Sequence, residues 1–408
     1  MKKLCVTLMI FSVFISCNKK IEPKPSSPIN LSHALNLVDS VEVDGTQLYF
    51  IHIYADAPDY KPVEAAGEGV SCVDDVGRFM EVLETEILKY KRTDLLPIAR
   101  GMTRFLLYMC RDDGLWHNFI DADGKINREY RTSIADFEWW AARGIRGLAA
   151  AYNIFKESEN DCELLSRLKA KIETTIPQLE EVLKSYPQTH ATELGERPSW
   201  LIHHAPDMSS EFLLALTKLH STVEFDYLDA IEKLAEGLIV CQFQQEDHRL
   251  NGMYFCWNNI WHGWGNNQAY ALLETYKITA NPDILKSVQL WADFFIPFLI
   301  DNNFPHRIEL SSDGTYQMAT YPQIAYGINS LYRGVKTLAE ITGKPEYKAY
   351  AEQIFAWFTG HNIAGAAMYD AETGRVYDGI NDGPKVNLNS GAESTIECLL
   401  AIQKRGGF

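Results

Sequence analysis

The chain has 408 residues, 46% of them hydrophobic, and a formal net charge of −16, enough apolar material for one large domain or two ordinary ones. That charge excludes nucleic acid and anionic membrane surfaces as partners, since both call for clustered Lys and Arg, while a few local arginines could still admit an acidic sugar. Eight cysteines without CxxC spacing argue against a zinc or iron–sulfur centre, so neither a metal nor a cofactor is expected.

At the N-terminus, Lys2 and Lys3 precede an apolar stretch from Leu4 to Ile15. It is too short to span a bilayer as a mature helix and suits a signal peptide over residues 1–16. The stretch ends Phe14-Ile15-Ser16-Cys17, similar to a bacterial lipobox, so Cys17 is expected to carry lipid. Residues 17–29 follow as the lipidated cysteine and an extended tether rich in Pro, Lys and Ser. The expected location is the bacterial cell envelope, periplasmic or cell-surface, with the membrane touched only through the anchor and a monomer favoured. No later linker divides the chain, so residues 30–408 are expected to form one domain.

Helical periodicity begins at 31–41 (LSHALNLVDSV) and is plain in Asp74–Tyr90, where Val76, Phe79, Met80, Leu83 and Ile87 recur on one face. A second run at 95–110 pairs with it. The pattern continues as 136–156 with 162–185, 208–220 with 225–243, 266–279 with 284–300 and 321–342 with 346–359, then a last helix at 391–404. The run at 31–41 can return as the mate of that last helix, which makes twelve helices in six hairpins. Segments 114–130 and 366–379 alternate aromatic and polar residues around Asp-Gly and Thr-Gly turns and are read as short β-hairpins. Cys72, Cys110, Cys162, Cys241, Cys256 and Cys398 are expected to be free and buried.

Six segments rich in Trp, His, Asn and acids (67–78, 128–140, 200–211, 261–270, 316–327 and 385–395) each stand just before the first helix of a pair. Closing six such hairpins gives an all-α (α/α)6 toroid, with short β-hairpin loops and all six polar segments gathered at one mouth. The N-termini of the inner helices would meet there, bringing partial positive charge and unpaired N–H groups together.

The strings VDDVGR (73–78), DGLWHNF (113–119), TSIADFEWW (132–140), NNQAY (266–270), YDAETGRVYDG (369–379) and VNLNSGAESTIECLLAI (386–402) resemble, in consistent order over nearly the whole mature chain, a group of bacterial six-hairpin-glycosidase-like proteins. The resemblance implies the toroid and an association with carbohydrate-active enzymes. The chain departs from the usual pattern at Val76-Gly77, where the related proteins often carry Asn-Ala.

Hydrolysis of a glycosidic bond needs two carboxyl groups in different environments, one holding a proton and one ionised, set roughly 6.5–9.5 Å apart in an inverting enzyme. Asp74 and Asp75 are adjacent and point about 100° apart on a helix, so they cannot face the mouth equally. Each acid has a capping alternative: Asp74 as an N-cap, Asp75 as a first-turn acid, Asp136 in S-x-x-D after Ser133, and Glu393 in a capping box with Ser390. Asp75 and Glu393 are the favoured catalytic pair, with Asp136 as the main substitute and Asp74 as a further candidate. For a sugar, Trp139, Trp261 and Trp264 offer flat faces, and Asn266, Asn267 and Gln323 can bond hydroxyl groups in both directions. Arg78, His204 and Asp207 complete the candidate binding set. The expected activity is therefore hydrolysis of an oligo- or polysaccharide, by inversion. A polysaccharide lyase using Tyr130-Arg131 with His203 or His204, an unsaturated-uronyl hydrolase and a non-catalytic glycan-binding lipoprotein are the alternatives.

Overall fold

The computed structural model describes residues 26–159, 161–222 and 226–406; the signal stretch and Cys17 lie outside them. Six long helices form a closed inner ring: α2 (Val73–Leu88), α4 (Trp139–Ser158), α7 (Pro206–Thr222), α9 (Gln268–Thr279), α12 (Ala325–Thr342) and α14 (Ala392–Arg405). Each packs on the next, and α14 returns to α2. Outside them lie α3 (Leu96–Met109), α5 (Cys162–Glu173) with α6 (Ile176–Leu183), α8 (Leu228–Val240), α10 (Pro282–Leu290) with α11 (Ile296–Asp301), and α13 (Pro345–Phe355). Every inner helix but α14 is backed by the outer helix that follows it, so the architecture is the (α/α)6 toroid, with only small two- and three-stranded sheets among the described residues.

The sixth outer place is filled differently from the expectation. Only Ser32–Asn36 (α1) is helical, and it packs on α14. Val38–Val43 then pairs with Thr46–Ile51 as an antiparallel hairpin. The β-branched Val38, Val41 and Val43 alternate with polar residues, and Asp44-Gly45, both at positive φ, make the two-residue turn such a hairpin demands. The hairpin lies against α3, where a Cβ on Gly101 would fall 2.0 Å from the ring of Tyr49.

Local chemistry explains the other differences. The run at 162–185 breaks between α5 and α6, with Pro177 in the first turn of the second helix. The run at 284–300 passes through a π-helical turn at Trp291–Phe295 before Pro297. The hairpin expected in 114–130 forms around the Asp123-Gly124 turn, with Ile120 bridged to Ile126, and its first arm, Phe119–Ile120, also pairs with Ser71–Cys72. The hairpin expected at 366–379 forms between Tyr369–Asp370 and Arg375–Val376. Five of the six later cysteines are buried, while Cys162 is exposed at the start of α5, on the outer ring. No described helix is long and apolar enough to cross a membrane.

The ring is tightest where α2 crosses α4. The sequence of α4, AARGIRGLAAA from Ala141, is small on nearly every side and almost wholly buried. A Cβ on Gly77 would meet the Arg143 carbonyl oxygen at 2.3 Å, and one on Gly147 would meet the Gly77 Cα at 2.8 Å. Gly77 is thus the residue that lets α2 and α4 touch through their backbones.

Candidate active site

A cavity of about 370 Å³ opens at the N-terminal ends of α2, α12 and α14. Its chemistry is mainly carboxylate: Glu68, Asp74, Asp75, Asp378 and Glu393 line it, with Arg78 and Arg143 the only cations among the described lining residues.

Arg78 organises the centre. Its Nη2 donates to Asp75 Oδ1 at 2.7 Å and to Glu393 Oε2 at 3.1 Å, its Nη1 to Glu397 at 3.1 Å and its Nε to the Asp74 carbonyl at 3.2 Å. Asp75 is 1% exposed. Burial pushes its carboxyl up to about 6; Arg78 opposes that rise, and Glu393 and Asp74 add to it. Glu393, with 42% of its side chain exposed, reaches the mouth. Because both acids accept from one nitrogen, their bonded oxygens stand within about 6 Å of each other.

Of the capping alternatives only that of Asp75, an acid in the first turn of α2, is realised. α2 starts from an extended Cys72 with no side-chain cap. Asp74 instead accepts from Arg143 at 2.8 Å and from Asn118 at 2.9 Å, so both adjacent aspartates line the cavity. The first turn of α14 is held by Asp378, which accepts from the Gly391 N–H at 2.8 Å and the Ser394 hydroxyl at 2.6 Å. Burial raises the Asp378 carboxyl above its usual range. Sequence reasoning missed this residue: it lies 13 positions before the backbone it caps, and no local spacing marks it. Asp136 sits on an extended stretch paired with Trp116, ahead of α4. Its carboxylate holds His203 at 3.2 Å, lowering its own pKa and raising that of His203. That pair is not part of the cavity wall, so Asp136 does not join Asp75.

Beneath the cavity the inner ring is filled with paired charge. Arg143 donates to Tyr326 at 2.7 Å, and the Tyr326 hydroxyl donates to Glu211 at 2.8 Å. Glu211 also accepts from Asn267 and Arg146, and Arg146 bonds Glu81 at 2.6 Å. Despite full burial, these guanidinium groups hold the Glu211 carboxyl down to about 2.

Several candidate sugar-binding residues serve the fold instead. Trp261 is 2% exposed and packs edge-on to Phe295. Asn267 is committed to Glu211, Asn266 to the Gly263 carbonyl, and Gln323 to the Asn303 carbonyl and the Trp357 indole. Asp207 is buried against His262 at 2.9 Å. Polar loops folded over a ring must satisfy their own buried groups, and these side chains do so. Half-buried Trp264 stacks between His262 and His306. Trp139 lies under the Arg143 guanidinium, and His204 is exposed beside His190. Tyr130 packs on Phe119 rather than entering the cavity.

Two groups bring metal-ligand atoms together: buried Asp207, Cys256 and His262, and Asp136, Glu138 and His203 at the surface. In the first, His262 already bonds Asp207, and burial holds the Cys256 thiol in its protonated, poorly ligating form.

No protein-family model and no curated protein matches the chain. Solved structures do. Cellobiose 2-epimerase from Bacillus thermoamylovorans aligns with a TM-score of 0.64 at 13% identity, over 92% of this chain and 96% of that one. A D-mannose isomerase aligns with a TM-score of 0.59 at 13% identity, over 91% and 93%. A family 76 glycoside hydrolase from a bovine Bacteroides thetaiotaomicron strain aligns with a TM-score of 0.53 at 16% identity, over 91% and 76%. At such identities the likeness is one of fold: the chain is an (α/α)6 toroid of the six-hairpin kind.

Proposed function

We propose that the protein is a carbohydrate-acting enzyme, and specifically a glycoside hydrolase whose acid and partner carboxylate are Asp75 and Glu393. The observation that carries this reading is their shared hold on one Arg78 nitrogen. It places a carboxyl kept protonated to near pH 6 beside an exposed, ion-paired carboxylate, the asymmetry that glycosidic cleavage requires. Asp75 donates its proton to the leaving oxygen while Glu393 attacks the anomeric carbon, and water then releases the sugar with Asp75 as base. This double displacement retains configuration; the inversion expected from sequence would instead place a water between the two carboxyl groups.

Five carboxylates against two guanidinium groups make the wall acidic, which favours a neutral sugar over a uronate. Epimerisation or β-elimination calls for a base that takes a proton from carbon. No histidine lines the cavity among the described residues, so that base would have to be one of the same carboxylates.

Neutral oligosaccharides incubated with the protein and followed by anomeric NMR test the reading. Retained configuration is the expected result. Ultraviolet absorbance from a new double bond would make it a lyase, and binding without turnover a glycan-binding protein. We also propose that lipid on Cys17 holds it at the cell envelope.

A further inference from the structure

We propose that the opposite end of the toroid binds a small polyanion, one carrying phosphate or carboxylate groups, independently of the activity at the mouth. All six inner helices line a cavity of about 680 Å³ there, α4 and α12 through mid-helix Arg146 and Arg333; it is larger than the one at the mouth and of the size that takes small ligands. In a chain of net charge −16, six cations line it, Lys89, Arg146, Lys218, Lys277, Arg333 and Lys404, against three carboxylates, Glu81, Glu84 and Glu274.

Lysines at helix C-termini are expected to offset the helix dipole. That accounts for Lys277 and Lys404, which also pair with Glu274 at 2.7 Å and Glu340 at 2.6 Å. It does not account for Arg146 and Arg333, which stand in the middle of α4 and α12, because the dipole effect fades within the last turn. Arg146 is consumed by Glu81 and Glu211, and Lys218 by Glu84 at 2.5 Å and Glu81 at 3.8 Å. Arg333 is not: its side chain is 14% exposed and its nearest carboxylate oxygen, on Glu81, is 4.0 Å away. It donates to the Tyr270 hydroxyl at 2.8 Å, with its guanidinium 4.2 Å above that ring. Lys89, at the rim, makes no ion pair among the described residues. An inward guanidinium braced on an aromatic ring, with lysines around the opening, suits an anion held by charge-assisted hydrogen bonds.

Isothermal titration of the full-length protein at low salt, with inorganic pyrophosphate and separately with citrate, tests the proposal. Saturable one-to-one binding that weakens with added chloride is expected. Binding of pyrophosphate alone assigns phosphate chemistry, and of citrate alone carboxylate chemistry. Lys89→Gln with Lys277→Gln, both at exposed positions, should weaken binding about tenfold, and Arg333→Met should abolish it. Circular dichroism reports whether Arg333→Met folds; if it does not, the lysine variant alone decides. Absence of binding by both probes, or unchanged affinity in the folded variants, would overturn the proposal.

Discussion

Asp75 ties activity and stability to pH in the same direction. As the proton donor it must be protonated, so turnover should fall as pH rises through about 6. Asp75→Asn and Glu393→Gln should each lower turnover by on the order of 10²–10⁴. For folding, a carboxyl raised from 3.8 to about 6 favours the native state most below its unfolded pKa, and that contribution is lost as pH rises through the folded value. The loss is roughly 3 kcal/mol at full ionisation. Thermal melts should therefore show Asp75→Asn gaining on wild type between pH 4 and about 7. Glu211 has the opposite sign. Held down to about 2, it stabilises above its ordinary pKa, and that contribution fades as pH falls toward 2. Glu211→Gln leaves Arg143 and Arg146 buried and short of an acid, so chemical denaturation near neutral pH should show a cost of about 3–5 kcal/mol that shrinks in acid. The acids of the mouth were legible because VDD opens α2 and SGAE leads into the first turn of α14. Asp378 was not, because a cap supplied from another loop leaves no local spacing. Trp261 and Gln323 misled because a polar, aromatic loop reads alike whether it faces a ligand or satisfies the backbone beneath it.

At the scale of elements, periodicity gave the inner helices within a few residues, since each buries a broad face against two neighbours. It failed where burial is one-sided or short. The LSHALNLVDSV run has helical apolar spacing, yet the Asp44-Gly45 turn and the pairing with Thr46–Ile51 outweigh it. The crossing of α2 and α4 depends on something periodicity cannot show, the absence of a side chain. Gly77→Ala would drive a Cβ to 2.3 Å from the Arg143 carbonyl oxygen and force the helices apart, costing about 1–3 kcal/mol. The same displacement pulls Arg143 from Asp74. We expect a lower melting temperature together with lost turnover, although no reacting group is removed; unchanged turnover would show that the mouth tolerates the shift.

For the whole molecule, attachment and the toroid should separate cleanly. Cys17→Ser should move the protein from the membrane pellet to the supernatant without changing turnover, and continued pelleting would remove the proposed anchor. The closure of the ring sets a further condition. α2 and α14 are direct neighbours, His33 bonds the Ser390 carbonyl at 2.9 Å, and Asn30 bonds the carbonyls of Ala371 and Glu372. The two ends of the chain are thus each other's wall. A ribosome adding about 5–20 residues per second releases α14 tens of seconds after α2; until the last inner helix emerges, α2 has an apolar flank with nothing to cover it. Nascent chains cut before Ala392 should therefore be held by chaperones or degraded rather than accumulate as folded intermediates, and protease resistance should arise in one late step.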